Sequence, residues 1–307
     1  MRVTQSMLTD TTVMYLMRDL DQLQRTQQRI ATGRNYQLPS EAPVETTQIV
    51  HIAAEKAEAE QYRSAIDTGT GWTEMTSNVL TAIEDLLSEI LDVSQAASTH
   101  AATSAEREQA AVTINALLEE LVMLANRQFR GKYLFGGDET LTAPFTANYA
   151  ADGVTITGVT ANPDGIDGQW GFLVSDVDTV TINTPGSEVF LPNGEGSNDD
   201  VFVILQDLRY AHQTQDFDAL RIEENRLHDA ILRISSVNAK VGGTTRHLES
   251  IAEDIDAAVL SYTAQRSKLE DTDIADAIVD YNVAENIYQA ALASTSRILS
   301  LSLVDFI

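Results

Sequence analysis

The sequence predicts a mainly α-helical protein with an inserted antiparallel β domain, and three observations support that prediction. Helical hydrophobic periodicity fills both ends of the 307-residue chain. Ten of the 16 glycines and four of the six prolines fall between Gly136 and Gly196. Alternating β-branched residues occur in the same window, which indicates strands and turns there. We therefore expect an elongated rod of long coiled-coil helices, drawn from both chain ends, with a β-rich segment inserted between them.

The first helix is predicted from a heptad seam with the spacing 3-4-3-4-3, the pattern by which a helix buries a narrow stripe against a partner helix. Its residues are Val13, Leu16, Leu20, Leu23, Gln27 and Ile30. The segment Leu38–Pro43 ends this helix, because proline and the residue before it leave helical geometry. A second helix is predicted from Val44, weakened at Gly69 and Gly71, and a third from Ser104.

The middle of the chain is predicted to form short strands. The candidate strands are Val154–Thr157, Gly171–Val174 and Val177–Ile182, separated by Gly, Asn, Asp and Pro. We assign residues 138–198 to an inserted, outer β domain. The flanking segments are then an amino-terminal coil and linker (1–43), two parts of a helical rod (44–137 and 199–272) and a carboxyl-terminal helix (273–307).

The longest periodic pattern lies near the carboxyl end. Steps of four and three residues alternate from Val237 to Leu269, which at about 1.5 Å per residue predicts a rod of roughly 50 Å. We assign seven of these residues to packing within the rod: Val237, Val241, Leu248, Ile251, Ile255, Tyr262 and Leu269. Gly242 and Gly243 each weaken this helix by about 1 kcal/mol relative to alanine, unless a close helix contact uses the space.

A final helix is predicted from Ile274, after the capping residues Asp271–Asp273. Its seam continues the alternation through Ala277, Tyr281, Ala284, Tyr288, Ala291, Thr295 and Ile298. Residues 1–35 contain five arginines and three aspartates, whereas residues 273–307 contain five acidic residues and one arginine, so the two terminal helices carry opposite charge. That difference favours their pairing with each other, although exposed ion pairs contribute only about 0–1 kcal/mol each.

The narrow seams of the terminal helices suggest burial between subunits, since a stripe that one chain cannot cover implies a partner. The plain alternative is that the two helices cover the core of their own domain. We assign eleven residues to an assembly interface: Val13, Leu16, Leu20, Leu23, Ile30, Ala277, Tyr281, Ala284, Tyr288, Ala291 and Ile298.

Composition excludes several classes of function. The chain carries 46 acidic and 20 basic side chains, a formal charge of −26, so we expect neither nucleic acid nor an anionic membrane as a partner. It has no cysteine, which excludes disulfides and thiolate chemistry. No apolar segment follows Met1–Thr4, and none elsewhere approaches the about 18 residues of a membrane helix. We therefore expect a soluble protein without a cleaved signal peptide.

The sequence contains no catalytic motif and no cofactor-binding motif. GxGxxG, the P-loop and GxSxG are all absent. The five histidines occupy scattered polar helical positions, where we expect surface or seam residues rather than metal ligands. Asp164, Asp167, Asp176 and Asp178 lie in glycine-rich loops that resemble some calcium sites, but without an EF-hand or a repeat they are better interpreted as solvated acids. The sequence therefore predicts that the protein is not an enzyme, and Trp72 and Trp170 are expected to be packing residues.

Several short segments carry a resemblance to a known family. Met1–Leu8 resembles the start of the flagellin superfamily. Ile30–Arg34, followed by Leu38–Pro43, is similar to the "S-x-G-(K/R) … P-S-D-D-P" segment of the flagellar hook-associated protein 3 family. One departure is Glu41-Ala42, where the family often has two aspartates.

Three further segments fit the same family. Gly131–Gly137, with Pro144-Phe145 after it, is similar to "G-(R/K)-Y-(I/L)-F-(A/G)-G … P-F". Val241–Glu249 and the ending Ser300–Ile307 also fit. The resemblance covers residues 1–145 and 200–307, and the middle of the chain shows none.

The resemblance implies a flagellin-like fold and a structural role at the junction between the flagellar hook and the filament. It implies self-assembly into a ring through the terminal helices, which would line the axial tube. The implied partners are the first hook-associated protein on the hook side, flagellin on the filament side and a flagellar export chaperone. It also implies secretion through the flagellar export apparatus to the extracellular flagellum. Two alternatives remain open, a filament flagellin and an adhesin-like binding module with an acidic β domain.

Overall fold

The protein is mainly helical, with a small antiparallel β region in the middle of the chain, as the sequence predicts. The computed structural model describes residues 5–99, 102–175 and 178–304, so the quoted segments Met1–Thr4 and Asp305–Ile307 lie outside the described residues. The helices are α1 (Gln5–Thr32), α2 (Pro43–Ala97), α3 (Ser104–Ala125), α4 (Gly186–Phe190), α5 (Val201–Thr214), α6 (Phe217–Glu270) and α7 (Ile274–Val304). The strands are β1 (Gln128–Phe129), β2 (Lys132–Tyr133), β3 (Phe145–Tyr149), β4 (Ile156–Ala161), β5 (Gly171–Leu173) and β6 (Thr179–Thr181).

The chain forms two compact units. Unit 1 combines Met1–Ala59 with Ala257–Ile307, and unit 2 comprises Glu60–Asp256. This grouping differs from the five predicted segments, because α2 and α6 each contribute residues to both units. The predicted β insert is not a unit by itself, since its apolar residues belong to the same buried core as the helices of unit 2.

The break between α1 and α2 follows the local chemistry of the linker. Glu41 Oε2 accepts hydrogen bonds from the backbone N–H groups of Gln37, at 2.8 Å, and of Leu38, at 3.3 Å. These two backbone donors lower the pKa of the Glu41 carboxyl below its usual value. Pro43 is the first residue of α2, a position where its missing N–H has no helical partner to lose. A glutamate therefore holds the turn at the position where the family often has aspartate.

α3 begins with a capping box and ends earlier than its periodicity predicts. Glu106 N–H donates to Thr103 Oγ1, and Thr103 N–H donates to Glu106 Oε2, so two donors at the helix start are paired. The periodic pattern extends to Gln128, yet the helix ends at Ala125. Gln128 instead pairs with Tyr133 in the β1–β2 hairpin, whose turn has left-handed backbone at Arg130 and Gly131.

The β region consists of separate hairpins in place of one sheet. Within the described ranges, β1–β2, β3–β4 and β5–β6 are three antiparallel two-stranded sheets. β4 and β5 overlap the first two predicted strands, and β6 lies within the third, whose first residue, Val177, is outside the described residues. β3 was not predicted from the sequence, and it pairs with β4 from Phe145 opposite Ala161. A two-stranded hairpin is marginal alone, so these hairpins depend on the helices that they cover.

One asparagine and one arginine attach the β3–β4 hairpin to two helices. Asn115 of α3 accepts from Ile156 N–H at 3.1 Å and donates to the Val154 carbonyl at 3.0 Å. Arg209 Nη1 of α5 donates to Asn115 Oδ1 at 2.5 Å and to the Ile156 carbonyl at 2.8 Å. The side chains of Asn115 and Arg209 thus pair with strand backbone as a neighbouring strand would, and we call them the Asn115 clamp.

Two more asparagine amides pair with backbone in the same way. Asn126 donates to the Phe145 carbonyl at 2.8 Å and accepts from Phe145 N–H at 3.1 Å. Asn183 donates to the Gly168 carbonyl and accepts from Trp170 N–H, both at 2.8 Å. Because buried backbone groups must find partners, these amides allow short strands to end inside the core.

Four phenylalanines lie at the centre of unit 2, where Phe135, Phe145, Phe190 and Phe202 are almost completely buried. Neighbouring rings of this group lie 5.1 to 5.4 Å apart between centroids. Gly137 follows in left-handed backbone, and a Cβ there would lie 1.9 Å from the Gly165 carbonyl oxygen. The Tyr-Leu-Phe-Gly-Gly segment therefore combines a buried aromatic anchor with a turn that only glycine fits.

Candidate assembly interface

The two terminal helices pack against each other in unit 1. On α1, Leu16, Leu20, Leu23 and Ile30 are half-buried and Val13 is exposed. On α7, Ala277 and Ala284 are buried, and Tyr281, Tyr288 and Ala291 are half-buried. The Ile298 side chain lies outside the described side chains. The structure thus places most of the predicted seam between α1 and α7 of one chain, and their role between subunits stays a prediction.

The buried stripe of α1 drifts away from a strict heptad. Thr26 is 6% exposed, whereas Gln27, its neighbour in the predicted seam, is exposed. The Thr26 hydroxyl donates within its own helix, to the Gln22 and Leu23 carbonyls, so its burial leaves no unpaired donor. Thr295 of α7 is buried in the same way and donates to the Ala291 carbonyl at 2.8 Å.

A backbone bridge joins the end of α1 to the linker that precedes α7. Asn35 N–H donates to the Glu270 carbonyl at 2.8 Å, and Thr272 N–H donates to the Gly33 carbonyl at 2.9 Å. The Asn35 side chain adds a bond of 2.7 Å to the Asp271 carbonyl. We call this contact between residues 33–35 and 270–272 the linker bridge. It fixes the end of α1 relative to the beginning of α7 and so sets the register of the two helices.

Arg29 extends the linker bridge onto α7. Its Nη2 lies 3.1 Å from Thr272 Oγ1 and 3.3 Å from Asn35 Oδ1, and its Nη1 lies 3.3 Å from Asp280 Oδ2. The Arg29–Asp280 pair has the opposite charges that the sequence predicts for these helices. Because the carboxylate is half exposed, we expect this pair to orient the helices more than to stabilise them.

Outside the buried seam, α1 and α7 carry exposed apolar side chains, of which Val283 and Ile287 border the groove between the two helices. On α7, six of them are at least 45% exposed: Ile274, Ile278, Val279, Val283, Ile287 and Leu292. On α1, four are at least 54% exposed: Met7, Met14, Tyr15 and Met17. We call these two sets the outer faces. Because each of these side chains is already about half buried, covering them contributes about half of the 1.5–3 kcal/mol for a fully exposed one, on the order of 5 kcal/mol for each helix.

The outer faces were not predicted from the sequence, because the prediction covered only the seam residues of α1 and α7. A signal was nevertheless present, because α7 has apolar residues at both seam and non-seam positions. A helix that is apolar around its whole circumference is normally buried on all sides. For α7, the seam with α1 covers only one side.

The predicted rod residues divide between the two units. Val237, Val241 and Leu248 are buried in the core of unit 2, and Ile251 and Ile255 pack partly buried against it. In unit 1, Tyr262 and Leu269 are half-buried, and Leu269 lines a groove of about 400 Å³ with Ile52. Their assignment to rod packing agrees with this burial but stays a prediction as a set.

A polar contact fixes α6 against α2 within unit 2. Asn238 accepts from Ser77 Oγ at 2.7 Å and donates to Glu84 Oε1 at 3.0 Å and to Thr81 Oγ1 at 3.1 Å. Three hydrogen bonds from one amide favour a single register of the two helices, because any shift along the axis breaks them together. Gly242 and Gly243 lie one turn later, and a Cβ added at either position would have no atom within 4 Å.

The described residues contain no group of three or more His, Asp or Glu side chains that could hold a metal ion. His51, His228 and His247 are exposed, and His100 lies outside the described residues. His212 is not at the surface: it is 1% exposed and contacts Ser94, so it lies in a buried contact between helices. No described helix is long and apolar enough to cross a membrane.

The two tryptophans pack against each other, and the described loop acids are exposed to solvent. Trp72 and Trp170 pack edge to face, with ring centroids 5.0 Å apart. Asp164, Asp167 and Asp178 are exposed, and Asp176 lies outside the described residues.

The surface of unit 1, with its paired and partly uncovered terminal helices, is the strongest candidate for a functional site.

Comparison with known proteins matches both helical ends of the chain to one family. The family described as the bacterial flagellin N-terminal helical region matches residues 3–140, and the bacterial flagellin C-terminal helical region matches residues 225–307. The chain is 24% identical to flagellar hook-associated protein 3 of Escherichia coli (strain K12), over 90% of each chain. It is 22% identical to flagellar hook-associated protein 3 of Salmonella typhimurium (strain LT2), again over 90% of each chain.

The fold is also similar to that of solved structures. The flagellar junction protein FlgL from Legionella pneumophila superposes with a TM-score of 0.58 at 16% identity, over 73% of this chain and 99% of that one. At this identity the likeness concerns the fold alone. Both helical regions of the family are matched, and hook-associated relatives align along nine tenths of the sequence. The chain therefore belongs to the flagellin family, in its hook-associated protein 3 branch.

Proposed function

We propose that this chain is a structural subunit of the bacterial flagellum that assembles into the junction between hook and filament through α1 and α7. The observation that carries the proposal is the pair of outer faces in unit 1, which remain exposed after α1 and α7 have packed together. The family is structural and not enzymatic, and its members belong to the extracellular flagellum.

The terminal helices are suited to contacts between copies for a physical reason. The linker bridge holds α1 and α7 in one register, so both outer faces are presented by a single preorganised pair of helices. A surface repeated on every copy, and meeting a different surface on the next copy, generates a ring or a helix. The oppositely charged side chains of the two helices would favour one order of contacts over the others.

The proposed partners follow from the position between two larger structures. We expect the first hook-associated protein on one side of the ring and flagellin on the other, with further copies of the chain within it. We also expect an export chaperone to cover the outer faces before secretion through the flagellar export apparatus, since exposed apolar helices otherwise aggregate.

The proposal is tested by making the outer face of α7 polar. Val279→Gln, Val283→Gln and Ile287→Gln together remove three apolar side chains at exposed positions, and glutamine keeps helix propensity high. We expect secreted protein, hooks without filaments and loss of swimming. The matched control is Val112→Gln, Met123→Gln and Leu232→Gln, three equally exposed apolar side chains on the helices of unit 2.

The control variant should swim like the unmodified strain. Attached filaments in the α7 variant, with the protein present at normal level, would show that the outer face does not assemble.

Electron microscopy of a strain that lacks the protein tests the junction itself: we expect bare hooks and flagellin in the medium. Attached filaments on those cells would contradict the junction assignment.

A further inference from the structure

One histidine lies in the core of unit 2 and is held there by a single hydroxyl. His212, in the last turn of α5, has its Nε2 2.9 Å from Ser94 Oγ of α2. The same Oγ lies 2.7 Å from Glu224 Oε1 of α6. Ser94, which is completely buried, thus connects three helices at one point. We call Ser94, His212 and Glu224 the His212 node.

The hydrogen bonds of the node determine where its protons lie. Ser94 donates its only hydroxyl proton to the Glu224 carboxylate, so its bond with His212 needs a proton on Nε2. The neutral ring then carries a lone pair on Nδ1. This atom is buried and has no hydrogen-bond partner in the part of the chain that the structure describes. A second proton would therefore enter at Nδ1, where it finds no acceptor.

The ring is buried among polar groups of three helices, and burial together with one of them, Arg107, disfavours a positive charge on it. α2 presents the Ser94 hydroxyl, α6 the Glu224 carboxylate and α3 the Arg107 guanidinium. Arg107 is itself fixed, 3.3 Å from the Thr99 carbonyl and over the ring of Phe217. Burial, and after it the charge of Arg107, lower the pKa of His212 to about 4.

The node lies beside the ends of α2 and α5 and the beginnings of α3 and α6. Ser94 lies one turn before the end of α2, and Arg107 lies in the first turn of α3. His212 lies in the last turn of α5, and Glu224 in the second turn of α6. The hydrogen bonds of Ser94 therefore help to hold α2, α5 and α6 together at these helix ends.

We propose that the His212 node is an acid-released latch: a proton taken up at His212 Nδ1 forces the ring out of the core and separates α5 from α2 at this end of unit 2. At neutral pH the ring is uncharged and the latch is closed. The latch depends on unit 2 alone, so its failure would leave the assembly role of α1 and α7 untouched.

The direction of the pH effect follows from the two states of the ring. In the open state His212 titrates near its ordinary value of about 6.5, so the open state binds more protons than the closed state between pH 6.5 and about 4. Opening therefore becomes easier as the pH falls through this window. From pH 7 to pH 4.5 the ratio of open to closed molecules rises about sixty-fold with these values.

Hydrogen exchange of the full-length chain measures this opening. The amides of residues 208–214 are followed by mass spectrometry in the unmodified protein and in His212→Gln, at pH 7 and at pH 4.5. Glutamine keeps an N–H donor near Ser94 but cannot take up the proton. Comparison at equal pH removes both the intrinsic pH dependence of exchange and the titration of other groups, including Glu223, whose pKa burial raises.

We expect acidification to raise opening about sixty-fold more in the unmodified protein than in His212→Gln. The matched control is His228→Gln, which removes an exposed histidine of α6 and should respond like the unmodified protein. Equal acid responses of His212→Gln and the unmodified protein would overturn the proposal.

A second measurement does not depend on the folding of any variant. Proton NMR of the histidine ring hydrogens gives the midpoint of His212 in the folded full-length chain. We expect a midpoint well below the ordinary histidine value of about 6.5, with exchange at residues 208–214 increasing over the same range. A midpoint at or above about 6 would show that the closed node accepts the proton, and would overturn the latch.

Discussion

Removing the amide of the Asn115 clamp should destabilise unit 2 strongly, because three hydrogen bonds meet at that side chain. Asn115→Ala leaves Ile156 N–H without an acceptor in a position that is completely buried. It also takes an acceptor from the Arg209 guanidinium, which burial already disfavours, since its pKa is lowered. The Val154 carbonyl lies on an exposed residue and can bond water instead.

The magnitude follows from these three losses. A buried backbone donor without a partner costs about 1–3 kcal/mol, and a lost bond to a charged group costs about 1.5–3 kcal/mol. The carbonyl that reaches water adds little. We therefore expect Asn115→Ala to lower the free energy of unfolding of unit 2 by about 4 kcal/mol.

Urea unfolding at pH 7, followed by tryptophan fluorescence, measures this loss. Trp72 and Trp170 both lie in unit 2, so the signal reports on the unit that contains the clamp. Asn115→Asp keeps the acceptor oxygen for Ile156 and Arg209, and should lose about 1–2 kcal/mol. The matched control is Asn148→Ala, an exposed amide with one bond to Thr160, which should lose about 0.5 kcal/mol.

Two outcomes would refute this reasoning about the clamp. A loss of less than about 1 kcal/mol for Asn115→Ala would mean that water satisfies the freed groups. An equal loss for Asn115→Asp and Asn115→Ala would mean that the acceptor oxygen contributes nothing.

Substitutions in α6 and in the linker bridge should change stability and proteolysis in opposite directions. Gly242→Ala and Gly243→Ala should each raise the free energy of unfolding by about 1 kcal/mol, because both lie in helical backbone with open space at the Cβ position. A loss of stability in thermal unfolding would reveal a hidden contact, whereas a stable variant that no longer swims would place a second copy close to α6. Asn35→Ala removes the bond to Asp271 and should speed proteolytic cleavage between residues 33 and 42, while Asn148→Ala, in unit 2, should not. Unchanged cleavage would show that the backbone bonds hold the linker bridge without the side chain.

Local signals in the sequence were sufficient for the helical framework. Heptad spacing predicted α1, α6 and α7, and the prolines of Leu38–Pro43 predicted the break before α2. The start of α7 follows from Asp273, whose Oδ1 accepts from Ala275 N–H at 2.8 Å. Each of these features involves residues within about one or two helical turns, where the spacing of side chains alone decides the outcome.

The candidate site was only partly visible in the sequence. The seam residues of α1 and α7 were identified from their spacing, but the outer faces were not, because periodicity reports which residues share a face and not what covers it. Thr26 replaces Gln27 in the buried stripe because a straight helix has 3.6 residues per turn and drifts from a 3.5-residue repeat.

Other features depend on residues that are far apart in the chain. Ser94, His212 and Glu224 meet from three helices, and Asn115 meets Arg209 across 94 positions. The local sequence does not distinguish a buried histidine or asparagine from an exposed one, because residues far away in the chain provide the burial and the hydrogen-bond partners.

The sequence by itself thus determined the long helices, the break before α2 and the family of this protein, since these are encoded in local spacing and short motifs. Only the tertiary structure decided which polar groups are buried and which apolar faces are left uncovered. The physical reason is that burial and hydrogen-bond satisfaction are properties of the packed chain, in which residues separated by a hundred positions become neighbours.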